Sequence, residues 1–221
     1  MSRQPRITLV HATPIAMEPI KLAFATAWPD ANLVNLLEDS LSPDRAASAD
    51  ITEVLTARIE ALTQYARQIG SAAVLFTCSA FGRAIEQAAA TVDIPVLKPN
   101  EAMFEAAIRK GGRTAMLYTF PPARDGMEAE FLEEAERIDP TATMESFLVH
   151  GAIEAVRAGD VETHNRLVAE AAAGLRGFDS IVLAHFSTAR AVPEVRAVTD
   201  IPVLSSPDAA IDKLKRLLGA A

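Results

Sequence analysis

Short apolar runs alternate with stretches of helical spacing along the whole chain. Eight runs read as strands: Ile7–Val10, Ala31–Leu37, Ala73–Thr77, Pro95–Leu97, Thr114–Tyr118, Thr143–Val149, Ser180–Leu183 and Pro202–Leu204. The clearest helical stretch runs from Asp50 to Ile69, where Ile51, Val54, Leu55, Ile59, Leu62, Ala66 and Ile69 fall on one face. Asp50 with Glu53 has the spacing of a capping box, and Gly70 supplies a stop. Asn100 is placed to cap a helix that ends at Gly111-Gly112, and a last helix spans Pro207 to Leu218. Apolar strands alternating with helices predict parallel sheet covered by helices on both faces.

The pattern echoes itself. Residues 73–97 read AVLFTCSAFGRAIEQAAATVDIPVL and residues 181–204 read IVLAHFSTARAVPEVRAVTDIPVL. Each is strand, polar turn, helix and then Asp-Ile-Pro-Val-Leu, matched with a one-residue gap. The expected fold is therefore α/β, with two pseudo-symmetric Rossmann-like lobes. Each lobe is a four-stranded, mostly parallel sheet flanked by helices. Residues 1–98 with 205–221 form the first lobe and residues 99–204 the second. The last helix returns to the first lobe, and a cleft lies between the two.

Composition narrows the function classes. The chain has 221 residues, 50% of them hydrophobic, and a net charge of −8. That apolar content rules out disorder. The negative charge and the lack of a basic patch exclude nucleic acid as a partner. No apolar stretch is long enough to span a membrane. The opening Met1–Arg6 is polar and lacks the plan of a signal peptide, so a cytoplasmic setting is expected. A single cysteine rules out an internal disulfide and a cysteine-based zinc site. Nucleotide and metal motifs are missing, so no cofactor and no metal are assigned. The glutamates at positions 128, 130, 133, 134 and 136 read as an exposed helix face. His150, at a strand end, and His164, on a polar helix face, read as structural.

In parallel sheets ligands bind beyond the carboxyl ends of the strands. Four polar loops stand there: His11-Ala12-Thr13-Pro14, Cys78-Ser79, Thr119-Phe120-Pro121 and His185-Phe186-Ser187-Thr188. Cys78 precedes a helix, whose N-terminal amides and dipole lower a thiol's pKa and favour the reactive thiolate. An inert buried cysteine is the alternative. His185 is a candidate acid or base opposite Cys78. His11, Thr13, Ser79, Thr119, Ser187 and Thr188 are candidates for holding a small carboxylate, although hydroxyls at such places also serve as caps. Phe81, Phe120 and Phe186 suit either an apolar part of a ligand or the core.

The duplicated layout, T-C-S-A after the third strand and V-L-A-H-F-S-T-A-R after the seventh resemble the aspartate/glutamate racemase superfamily, which includes hydantoin racemases, arylmalonate decarboxylases and maleate isomerases. The opening H-A-T-P-I-A-M-E-P-I and the segment N-L-L-E-D-S-L at Asn35–Leu41 are similar to the same group. The resemblance implies cofactor-independent proton transfer at the carbon α to a carboxylate or carbonyl. It also implies two cysteines on opposite faces of the substrate. Cys78 matches the first. The gapped repeat places the second on Phe186, which cannot carry a proton. Two enzymatic readings follow: an unequal Cys78–His185 pair that racemises, or one-sided chemistry such as decarboxylation or isomerisation. A protein that binds a small acid without turnover is the non-enzymatic alternative. Many relatives self-associate, so a homo-oligomer is an open expectation.

Overall fold

A computed structural model of the chain describes residues 4–220; the first three residues of the polar opening lie outside the described residues. Eight strands form: β1 (Arg6–His11), β2 (Asn32–Leu37), β3 (Ala73–Phe76), β4 (Val96–Leu97), β5 (Arg113–Tyr118), β6 (Thr143–Leu148), β7 (Ser180–Leu183) and β8 (Val203–Ser205). Ten helices lie between and after them: α1 (Met17–Ala27), α2 (Leu41–Ala46), α3 (Glu53–Gln68), α4 (Gly82–Ala89), α5 (Glu101–Lys110), α6 (Arg124–Ile138), α7 (Ala152–Arg157), α8 (Val161–Ala173), α9 (Val192–Arg196) and α10 (Ser206–Leu218). Every expected strand is present to within about two residues at either end. Pairing is parallel throughout, in two sheets of order β2-β1-β3-β4 and β6-β5-β7-β8. Among the described residues no helix is long and apolar enough to cross a membrane.

The ladders correct the alignment of the repeats. Val10 pairs with Phe76 as Leu117 pairs with Leu183, and Leu75 pairs with Leu97 as Val182 pairs with Leu204. One constant step relates all these positions, so the repeats align without a gap over β1–β4 and β5–β8, apart from the edge strands β2 and β6. The Thr77 N–H then donates to the Val10 carbonyl as the Ala184 N–H donates to that of Leu117. The counterpart of Cys78 is therefore His185, and Phe186 matches Ser79. The shared Asp-Ile-Pro-Val-Leu stays in place; the gap had shifted only the strand and turn that precede it.

Local signals set the helix ends. The α3 cap is Thr52 rather than Asp50: its side chain accepts the Leu55 N–H at 3.2 Å, and the expected Asp50–Glu53 box does not form. Replacing Thr52 with alanine is expected to cost about 1 kcal/mol, read as a lowered midpoint in thermal denaturation. Gly70 follows α3 at φ +77°, a conformation open to glycine at little cost. Asn100 stands at the start of α5 but does not cap it with its side chain. Its Oδ1 instead accepts from Ser206 Oγ at 2.7 Å, in the core.

One continuous apolar core joins the two sheets. It holds Phe76 and Phe81 of the first repeat together with Met116, Met127 and Phe131 of the second. Phe104 and Phe131 meet edge to face at 5.7 Å. α10 buries Ala210, Ile211 and Leu214 against Ile7, Leu9, Ile20 and Phe24, so the chain's last helix closes on the first sheet. The glutamate run on α6 is not uniformly exposed. Glu130 points inward, 6% exposed, 3.5 Å from Lys98 Nζ, because α6 packs this face against the turn after β3 and against α4.

Candidate active site

Beyond β3 the chain passes through Thr77 and Cys78 into a single 3-10 turn, Ser79–Phe81, and then into α4. Beyond β7 it passes through Ala184 and His185 into the turn Phe186–Ala191 and then α9. The ends of β1 and β5 lead into the turns Pro14–Ala16 and Pro121–Ala123. All four loops meet at one cavity of about 40 Å³. Cys78, Ser79 and Thr13 line it from the first repeat, and Thr119, Phe120, His185, Phe186 and Ser187 from the second. Space of that size holds a few waters or a small group of similar bulk.

Two of the expected lining residues stand behind the wall. His11 is fully buried, bonded through Nδ1 to Thr77 Oγ1 and through Nε2 to Asn35 Oδ1, each at 2.9 Å; burial pushes its pKa down. It holds Thr77, which does reach the cavity. Thr188 donates its hydroxyl to the carbonyls of Ala184 and His185, at 2.8 and 2.7 Å, and so fixes the turn that carries His185.

Cys78 is half-buried and lines the cavity. Burial pushes its thiol up from the ordinary value. The Ala80 N–H and the charges of Arg45 and Arg157 pull it back only in part. The expected lowering by a helix N-terminus is thus overturned. The thiol meets one short turn instead of a full helix end, and desolvation of the thiolate outweighs a single N–H. Cys78 is expected to react with iodoacetamide more slowly than a free cysteine at pH 7. Its rate should climb as pH passes through and beyond the free-thiol range, as checked by mass spectrometry of timed samples.

His185 is the one residue other than glycine with positive φ among the described residues, at +83°. A side chain held in that region stores backbone strain of a kind that clusters at functional sites. Its Nδ1 lies 2.8 Å from Ser79 Oγ, and the Phe120 N–H points at Nε2 from 3.4 Å. The amide at Nε2 places the ring proton on Nδ1, from which it is donated to Ser79. Burial, with a smaller contribution from His164, pushes the pKa of His185 down to about 4, so the ring is neutral at pH 7.

Sequence reasoning missed three residues. Arg157, at the end of α7, lines the cavity and places its guanidinium 5.5 Å from the centre of the Phe120 ring. Arg45 of α2 is buried and donates to the carbonyls of Ala80, Ser48 and Pro122, so it ties the turn after Cys78 to the loop after β5. No local signal marks either arginine; only the packing of α2 and α7 over the strand ends brings them in. His164 is not on a polar face. It is buried, with Nδ1 2.9 Å from Asn165 Oδ1, and lies near enough to His185 to oppose its protonation. Burial lowers the pKa of His164 as well. Thr119 is buried with no hydrogen-bond partner for its hydroxyl among the described residues, and it lies on the cavity wall.

No protein-family model and no curated protein matches the sequence. Solved structures do match in fold. A glutamate racemase isoform from Bacillus anthracis superposes with a TM-score of 0.78 at 14% identity, over 97% of this chain and 82% of that one. An aspartate racemase from Picrophilus torridus gives 0.73 at 15%, over 98% and 95%. A cysteine-for-glycine mutant of arylmalonate decarboxylase, in a sulfate-associated form, gives 0.62 at 19%, over 97% and 94%. The two parallel sheets and their helices are thus arranged in the fold shared by glutamate racemases, aspartate racemases and arylmalonate decarboxylase.

Proposed function

We propose that this protein is a cofactor-independent, racemase-like isomerase that moves a proton at the carbon α to the carboxylate or carbonyl of a small acid. Cys78 and His185 are the acid/base pair. The observation that carries this reading is the register: the two residues are counterparts in the two repeats, and both line one cavity. A pseudo-two-fold arrangement of this kind sets two proton-handling groups across from one another, as inversion at carbon requires.

The resting protonation states are complementary. At neutral pH His185 is a neutral base and Cys78 a protonated acid. In one turnover His185 Nε2 takes the α-proton from one face and becomes the imidazolium. The thiol gives its proton to the other face and becomes the thiolate. The enzyme is left in the mirrored state, which runs the same exchange on the opposite enantiomer or resets through solvent. Both steps pass through an enolate-like anion. Thr119, Ser187 and Arg157 supply the donors that stabilise its charge as it develops. A bound carboxylate beside His185 raises the imidazole's basicity at the moment it is needed.

A second reading is favoured by one observation, the thiol held protonated by burial. If the bond to a second carboxylate breaks first, CO₂ leaves with no base required. Cys78 then protonates the enolate from one side and regains its proton from solvent. The likeness in fold to both racemases and a decarboxylase is compatible with either course. Incubating single enantiomers of α-substituted acids and separating the products by chiral chromatography distinguishes them. Loss of enantiomeric excess that requires both Cys78 and His185 supports the isomerase. CO₂ release that survives His185→Gln supports the one-sided course. No conversion of any acid in either assay overturns both.

A further inference from the structure

We infer that the acid accepted by this cavity bears no free amine, so that the substrate class is amine-free carboxylic acids with an apolar substituent. The inference rests on the proposed function and narrows it. The charged side chains at the site are all of one sign. Arg157 is the single charged side chain on the cavity wall, and Arg45 acts on Cys78 from behind it. Among the described residues neither guanidinium has a carboxylate partner. Arg45 spends its N–H groups on backbone carbonyls, and Arg157 lies over the Phe120 ring.

No aspartate or glutamate lines the cavity among the described residues. A buried ammonium needs a carboxylate, or a set of acceptors, to offset the water it gives up. Here it would meet two positive charges. A carboxylate meets the opposite situation. It takes the field of both arginines, and the buried hydroxyl of Thr119, which has no partner of its own, is positioned to donate to it. Ile15, Phe120, Ile153 and Phe186 offer an amine nothing, and the other hydroxyls on the wall, those of Thr13, Ser42, Thr77, Ser79 and Ser187, are neutral and offset none of its charge.

Two matched pairs of small acids test the inference on the intact protein: propionate with L-alanine, and succinate with L-aspartate. At pH 8 each amine is largely cationic. Protection of Cys78 from iodoacetamide is measured against ligand concentration by mass spectrometry. In at least one pair the amine-free acid is expected to half-protect at a concentration at least about tenfold below that of its amino acid. In no pair should the order reverse. If an amino acid protects as well as or better than its amine-free partner, the inference is overturned while the acid-binding reading stands. If the thiol labels and no member of any pair slows it, the cavity is not a carboxylate site, and both fall. Arg157→Gln is expected to weaken protection by the amine-free acids at least about tenfold; unchanged protection would remove the electrostatic basis of the inference.

Discussion

Serine in place of Cys78 is expected to slow α-proton transfer by about 10²- to 10⁴-fold, the usual contribution of a positioned acid/base group, while leaving thermal stability nearly unchanged. The side chains are close in size, and Cys78 is only half-buried, so packing loses little. A hydroxyl holds its proton far more tightly than a thiol and cannot run the mirrored half of the cycle. The pH dependence separates this loss from a merely structural one. His185 is a base only above about 4, and Cys78 an acid only below its raised thiol value. The wild-type rate with the enantiomer that His185 deprotonates should form a plateau between those limits. Its acid limb belongs to His185 and its alkaline limb to Cys78. Chiral chromatography across the pH range, on wild type and Cys78→Ser, reads both the loss and the limbs. A serine variant within about threefold of wild type would remove Cys78 from the chemistry, given the size of the effect such groups carry.

Glu130→Gln is expected to remove a fall in stability as pH rises through neutrality. Burial pushes the Glu130 carboxyl up to about 8, although the nearby Lys98 ammonium pulls the other way. Lys98 shares its charge with the more exposed Glu86, so it does not hold Glu130 ionised. The sign follows from proton counting. Below the ordinary carboxylate value both folded and unfolded chains are protonated, and Glu130 contributes no pH dependence. Between that value and about 8 the unfolded chain has released the proton and the folded chain still holds it. Stability therefore declines across this window, by about a few kcal/mol in total. Glutamine mimics the neutral acid, so the variant should match wild type at pH 5 and exceed it at pH 8. Urea denaturation at the two pH values checks this. A variant that is weaker than wild type at pH 8 would mean that Glu130 is ionised and paired with Lys98.

The architecture was legible because the central strands β1, β3, β5 and β7 are buried on both faces and leave continuous apolar runs, and the less buried edge strands stand at the same places in each repeat. Two matters were not. The repeat was aligned by residue similarity, which tolerated a gap, whereas hydrogen-bond register tolerates none. That one-residue slip put Phe186 where His185 belongs, so the repeat lent no support to the pairing of Cys78 with His185. The second was burial. Glu130, His164 and Arg45 read as surface or unremarkable residues because their helices carry polar positions on several sides, and only tertiary packing decides which side faces in. The raised thiol of Cys78 belongs to the same lesson. A sequence shows that a helix follows, and the three-dimensional structure shows that a short turn intervenes and that desolvation wins. Of the candidate site residues, Thr13, Cys78, Ser79, Thr119, His185, Phe186 and Ser187 reach the cavity, while His11 and Thr188 support those that do.

Deuterium uptake from D₂O tests the central claim most directly. An amine-free acid with an α-hydrogen is incubated with the wild-type protein, and the α-proton signal is followed by NMR. The expected result is loss of that signal in a time course that Cys78→Ser abolishes. Retention of the α-proton signal across the amine-free acids, or uptake at the same rate in wild type and Cys78→Ser, would contradict it.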